Sequence, residues 1–189
     1  MSNDSLLDSK FDDFELSRPT SSVYIKPYRL KFKQNDHPRI WDGIASHSSV
    51  SCVIYDSDKQ CIILVRQFRP VVFVSKIIEM QENLDFEFNQ NLEWNKVLPK
   101  DAFTYELCAG ICDKKKTEEE TIKEEILEEC GYTVSLENIH KISSCRSGVG
   151  LLGSLHTIFY TEVNEKMKTH NGGGNHHEGI SLVKYYSNF

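Results

Sequence analysis

The sequence predicts a mixed α+β domain in which one helix covers a sheet, and three observations predict it. Two β-branched runs, His47 to Tyr55 and Gln60 to Phe68, flank Asp56-Ser57-Asp58-Lys59, whose residues favour a turn, so the pair reads as a hairpin. The clearest helix signals lie between Glu118 and Cys130. Beyond that helix, Ile139 to Ser144, Leu155 to Val163 and Ile180 to Tyr186 have strand character. Strands on both sides of one helix imply a sheet with the helix laid on it.

Each element follows from local chemistry. Residues 1–21 are rich in Ser and Asp with few periodic apolar positions and read as a flexible tail, which leaves 22–189 as the folded domain. Val23 to Phe32 is strand-like, with Pro27 marking an edge or a break. Glu79 to Asp101 has no steady period and reads mostly as an insertion loop, with room for some strand or helix. Thr104 to Cys108 is a short strand leading into Ala109-Gly110. Thr117 and Glu120 then form a capping box, Ile122, Ile126 and Leu127 supply an apolar stripe, and Gly131 offers a left-handed stop. Two glycine-bearing loops, Ser147 to Ser154 and Lys168 to Gly179, separate the later strands.

Composition narrows the function. The 189 residues suit about one domain, and 39% hydrophobic with 26% charged residues is ordinary for a globular chain. A net charge of −6 argues against a nucleic-acid or anionic-membrane binder. The longest mainly apolar run, around Val71 to Ile78, is far short of a membrane span, and the acidic start is unlike a signal peptide, so a cytoplasmic location is expected. The six cysteines, Cys52, Cys61, Cys108, Cys112, Cys130 and Cys145, then read as reduced thiols. Cys108 and Cys112 lack a second Cys/His pair at a matching distance for a zinc hook.

The helix holds seven glutamates and one lysine between Glu118 and Glu129. The helix dipole suits Glu118 to Glu120 in the first turn, whereas Glu124, Glu125, Glu128 and Glu129 lie in the half where it disfavours anions, so something must offset them. Glu125 and Glu129, four apart, share one face. Two stacked carboxylates suit a hard divalent cation such as Mg²⁺, which takes one or two carboxylates together with substrate phosphates. A solvated acidic face explains the same spacing equally well.

Gly110 to Tyr132 resembles the Nudix box, G-x5-E-x7-R-E-U-x-E-E-x-G-U, with Glu125 on the glutamate of R-E, Ile126 on the apolar position and Glu128-Glu129 on the E-E pair. Leu64 to Pro70, Glu106 to Gly110, Ser147 to Ser154 and Phe159 to Val163 are similar to the UDP-sugar and ADP-ribose pyrophosphatase branch, and the likeness runs from about Tyr24 to Val183. The resemblance implies a Nudix fold, a mixed β-sheet sandwich with the box helix packed on it. It also implies Mg²⁺, or Mn²⁺ in its place, held by Glu125, Glu129 and the Ala109 carbonyl, with Glu128 as a further ligand or an orienting group. Gly110 would admit metal and phosphates close to the backbone. Arg69 and Arg66 would grip the diphosphate. Trp41 would stack on a nucleobase, or else pack as a core indole. Ser147, Gly148, Gly150 and Gly153 would approach the sugar phosphate, or simply form a turn. Glu178 would be the general base, and the adjacent His176 and His177 read as solvated.

Two positions depart from the pattern: the early glutamate is Lys116, and the arginine before the catalytic glutamate is Glu124. An acid at 124 is expected to add repulsion, and arginine restored there to raise activity. The chain, ending at Phe189, is expected to be short at its C-terminus. The resemblance implies a homodimer with a nucleotide-sugar substrate, and the composition implies no nucleic-acid or membrane partner. The reaction implied is hydrolysis of UDP-glucose to UMP and glucose 1-phosphate, or of ADP-ribose to AMP and ribose 5-phosphate. The alternative is a catalytically weakened relative that binds a nucleotide sugar or a protein without turnover.

Overall fold

The structure is a computed structural model that describes residues 10–80, 92–174 and 180–185. The chain opens with an antiparallel ribbon, β1 (Lys26–Gln34) and β2 (His37–Ala45), paired from Lys26↔Ala45 to Gln34↔His37. Asn35 and Asp36 close it with φ of 50° and 64°, the left-handed pair that a tight two-residue hairpin requires. Pro27 and Pro38 are tolerated because, among the described residues, this ribbon is a two-stranded sheet whose outer edges pair with nothing else. It is joined to the body by the Ile44 N–H, which donates to the Leu151 carbonyl at 2.9 Å.

Among the described residues the main sheet has seven strands. They are β3 (Ser49–Asp56), β4 (Cys61–Phe68), β5 (Phe103–Glu106), β6 (Cys108–Ile111), β7 (His140–Arg146), β8 (Leu155–Val163) and β9 (Ile180–Tyr185). Along the sheet the order is β5-β4-β3-β8-β7, with β6 paired to β3 and β9 to β4. β3 and β8 run parallel while the other pairs are antiparallel, so the sheet is mixed, as the resemblance implies. The single run read from Thr104 to Cys108 is two strands, because β5 pairs with β4 and β6 with β3.

Helix α2 (Glu118–Cys130) has the expected ends: the Thr117–Glu120 capping box is complete, and Gly131 stops the helix at φ 73°. Ile122, Ile126 and Cys130 bury against Val50, Cys52 and Ile54 of β3, Ile63 and Val65 of β4, Cys108 and Phe159. Burying each isoleucine contributes about 1.5–3 kcal/mol.

A second cluster surrounds a helix that the sequence reading missed, α1 (Pro70–Met80). Its β-branched run hides the helical spacing of Phe73 and Ile77, the two residues it buries, and Pro70 suits the first helical position. Phe73 and Ile77 pack with Leu92, Val97 and Ala102, the last three from the segment read as an insertion loop and from the short 3₁₀ turn at Pro99–Ala102. Phe14 lies against Phe73 with ring centroids 4.7 Å apart, and Phe11 against Phe68 at 4.3 Å. Part of the stretch read as a tail therefore lies on this cluster. None of the described helices is long and apolar enough to cross a membrane.

Candidate active site

β6 and α2 form the site together. Antiparallel pairing with β3 sets Ala109 opposite Ser51 and Gly110 opposite Val50, and α2 packs across the same strands. The Ala109 N–H donates to the Glu129 carboxylate at 3.1 Å. Glu129 is only 8% exposed, an environment a carboxylate tolerates only when its oxygens are engaged. The Glu125 carboxylate lies over the Cα of Gly110, where an added Cβ would come within 2.2 Å of a carboxylate oxygen. A side chain at 110 would push Glu125 aside, so glycine is needed here. Glu125 and Glu129 thus converge on one dipeptide of the neighbouring strand. Glu128 is exposed.

The late loop completes the C-terminal end of α2. Gly131 donates to the Leu127 carbonyl at 2.8 Å and Tyr132 to that of Ile126 at 3.3 Å. Gly174 donates to the Glu128 carbonyl at 3.1 Å and Gly173 to that of Glu129 at 2.8 Å. The Lys168 ammonium caps the Cys130 carbonyl at 2.9 Å, and so places a cation where the dipole asks for one. Gly131 and Gly172 make the fit possible: a Cβ on either would come within 2.1 Å of the His170 carbonyl or 2.2 Å of the Glu129 carbonyl, respectively. Glu178, His176 and His177 lie outside the described residues.

Arg69 donates Nε to one Glu106 oxygen at 2.8 Å and Nη2 to the other at 2.6 Å, so the fork expected to grip a diphosphate closes on a carboxylate. The pair raises the Arg69 pKa and lowers that of Glu106, and the Glu129 charge also acts on Arg69. The Thr104 hydroxyl donates to Glu106 as well. Arg66 is 6% exposed and lies 5.7 Å from the Phe103 ring centroid and 5.9 Å from that of Tyr105, a buried setting rather than an open phosphate clamp. Sequence reasoning missed Glu106 as a partner because 37 residues separate it from Arg69.

Trp41 is 56% exposed, so it is not a core indole; its ring N–H donates to the Gly150 carbonyl at 3.2 Å. This brings together two of the expected substrate-binding elements, the ribbon and the Ser147–Ser154 loop. The loop is closed by Ser147 and Ser154, whose hydroxyls are 3.1 Å apart, and by Gly148 at φ 54°. Open space surrounds the Cβ positions of Gly150 and Gly153, so neither glycine is forced by a neighbouring side chain.

The repulsion expected at Glu124 is corrected by the structure. Lys116 donates to one Glu124 oxygen, and the Lys114 ammonium lies 3.6 Å from the other. These cations, led by Lys116, hold the Glu124 carboxyl below its usual range.

The residues fit a divalent cation. Glu125 and Glu129 bring carboxylate oxygens, which are hard donors, to the Ala109-Gly110 dipeptide. Among the described residues no three His, Cys, Asp or Glu side chains form a metal-holding group.

An acidic helix thus lies on a mixed sheet, with Glu125 over the strand glycine Gly110 and Glu129 on its neighbour Ala109. No protein-family model matches the chain. It is 33% identical over 174 residues to the uridine diphosphate glucose pyrophosphatase NUDT14 of Bos taurus, covering 90% of this chain and 78% of that protein. The protein of that name from Mus musculus is 34% identical over 162 residues, covering 84% and 73% of the two chains. The chain belongs to this family of Nudix hydrolases. A GDP-mannose pyrophosphatase of Salmonella arizonae is 27% identical over 137 residues, covering 72% of this chain and 59% of its own. The fold is also that of a solved ADP compounds hydrolase, with a TM-score of 0.60 at 13% identity, covering 91% of this chain and 74% of the other.

Proposed function

We propose that this chain is a divalent-metal-dependent nucleoside-diphosphate-sugar diphosphatase. It hydrolyses UDP-glucose to UMP and glucose 1-phosphate, ADP-ribose to AMP and ribose 5-phosphate, or both. The observation that carries the reading is the convergence of Glu125 and Glu129 on Ala109-Gly110. Family membership supports the reaction class. Glu125, Glu129 and the Ala109 carbonyl would hold Mg²⁺ or Mn²⁺, and Glu128 would assist from the exposed side. Bound there, the ion would neutralise the diphosphate and activate water.

Arg69, oriented by Glu106, presents a fixed positive charge to the diphosphate. Arg66, on β4 beside the Phe103 and Tyr105 rings, adds a second positive charge near this end of the site. Gly110 lets the phosphates approach the backbone. Trp41 and the loop of Ser147, Gly148, Gly150 and Gly153 contact the base and sugar. Glu178, which follows the Gly173–Gly174 anchor on α2, serves as the general base. The engagement of Glu124 by Lys116 removes one of the grounds for the alternative of binding without turnover.

The protein works in the cytoplasm and as a homodimer. Support for the dimer comes from the ribbon, where Tyr28, Leu30, Phe32 and Trp41 are large, exposed and on one face.

Mg²⁺-dependent release of UMP from UDP-glucose, compared with AMP release from ADP-ribose, tests the reading, with Glu129→Gln as the control. No metal-dependent product from either substrate would overturn it. Leu30→Glu should shift the mass in solution from dimer to monomer.

A further inference from the structure

We infer that Lys116 and Lys114 are positioning residues for the acidic pair: their ammonium groups hold Glu124, and this clamp fixes the loop leaving Gly110 against α2. The inference rests on the diphosphatase reading and deepens it. Between the end of β6 at Ile111 and the start of α2 at Glu118, the loop carries three adjacent lysines, Lys114, Lys115 and Lys116. Adjacent like charges repel, yet two of these lysines turn back to one acid eight or more residues ahead. The Lys116 N–H also bonds the Lys114 carbonyl at 2.9 Å, so the two cations belong to one turn.

Neighbours on α2 therefore grip both ends of this loop. Glu125 lies on Gly110 at one end, and Glu124 holds Lys116 at the other. Successive helix residues point about 100° apart, so Glu124 cannot aim at the same target as Glu125. It acts through the loop instead. Where the box signature has an acid first and a cation second, this chain has Lys116 and Glu124. The signs at the two positions are exchanged, and in this chain the two side chains meet as an ion pair. A partly exposed pair adds little to global stability. What it sets is the register between Gly110 and the carboxylate above it. Arginine alone at 124 would face the lysines and open the clamp, contrary to the gain in activity expected from the sequence.

The test compares the full chain with Lys116→Glu, Glu124→Arg and the double variant, with Glu124→Gln as a milder version. Two quantities are read: amide hydrogen exchange over 110–117 in metal-free protein, and kcat with the Mg²⁺ concentration giving half-maximal rate. Each single change is expected to speed exchange in that segment and to shift the Mg²⁺ requirement or kcat by about 10-fold. The double variant should recover both to within about 2-fold. A double variant no better than the worse single, or single variants with unchanged exchange, overturns the clamp. If wild-type protein releases no metal-dependent product, the diphosphatase reading falls, and the exchange cycle alone still decides whether the ion pair holds the loop.

Discussion

Arg69 and Glu106 face each other edge to edge, with both nitrogens of the guanidinium fork on the two carboxylate oxygens at 2.8 and 2.6 Å. Arg69 precedes α1 and Glu106 ends β5, so the bond ties the residue before a helix to the end of a strand four residues before Gly110. Glu106→Gln would keep the shape and lose the charge. We expect kcat/KM to fall about 10-fold as Arg69 loses its orientation, measured by steady-state kinetics with Mg²⁺.

The same pair predicts a pH dependence. Arg69, the largest cause, holds the Glu106 carboxyl below its usual range. A carboxyl depressed by folding is ionised in both states well above about pH 4.3, where its stabilisation is complete. As pH falls past that point the unfolded chain takes up the proton first, and the contribution disappears as pH drops through the folded value. Urea unfolding of wild type and Glu106→Gln should differ by about 1 kcal/mol at pH 7, a modest figure because the pair is partly solvated, and the gap should close in acid.

Gly110→Ala places a methyl where the Glu125 carboxylate lies. The side chain can swing away, so the fold should survive while the acidic pair separates. Near-native circular dichroism with kcat reduced about 100-fold is the expected outcome, matching Glu125→Gln. Unchanged kcat would show that Glu125 does not act from its position on Gly110.

Gly131→Ala is a stability prediction. Its φ of 73° and the 2.1 Å approach of a Cβ to the His170 carbonyl involve backbone that cannot rotate away. A loss of about 1–3 kcal/mol is expected, which lowers Tm by several degrees in a calorimetric scan.

The thiols should separate by burial. Burial pushes the Cys52 thiol up to about 12, and Cys61, Cys108 and Cys130 are also buried, whereas Cys145 is exposed. A disulfide reagent on native protein should label Cys145 fast and Cys112 more slowly, and the four buried thiols only after unfolding.

What the sequence made legible was whatever depended on neighbours a few residues apart. Helix α2 could be read because Thr117, Glu120, Ile122, Ile126 and Gly131 all carry signals within one segment, and Glu125 and Glu129 could be paired by helical spacing alone. Helix α1 could not, because Val71, Val72 and Val74 favour strands locally and only the tertiary burial of Phe73 and Ile77 decides otherwise. The β1–β2 ribbon was half visible; Asn35-Asp36 was the turn signal that would have completed it. Arg69–Glu106 and Lys116–Glu124 depend on chain folded back over 37 and eight positions, where no local period reports the contact.

The last turn of α2 is finished by groups far along the chain, with Lys168 lying 38 residues beyond the carbonyl it caps. A nascent chain that ended before Lys168 would carry the whole acidic segment with its terminal carbonyls still facing water. Closing so long a loop costs entropy before any contact repays it, so maturation of the hydrolytic centre should be a late event in folding. Premature termination anywhere before the glycine run would then leave a polypeptide that has every acidic residue of the box and no assembled means of using them.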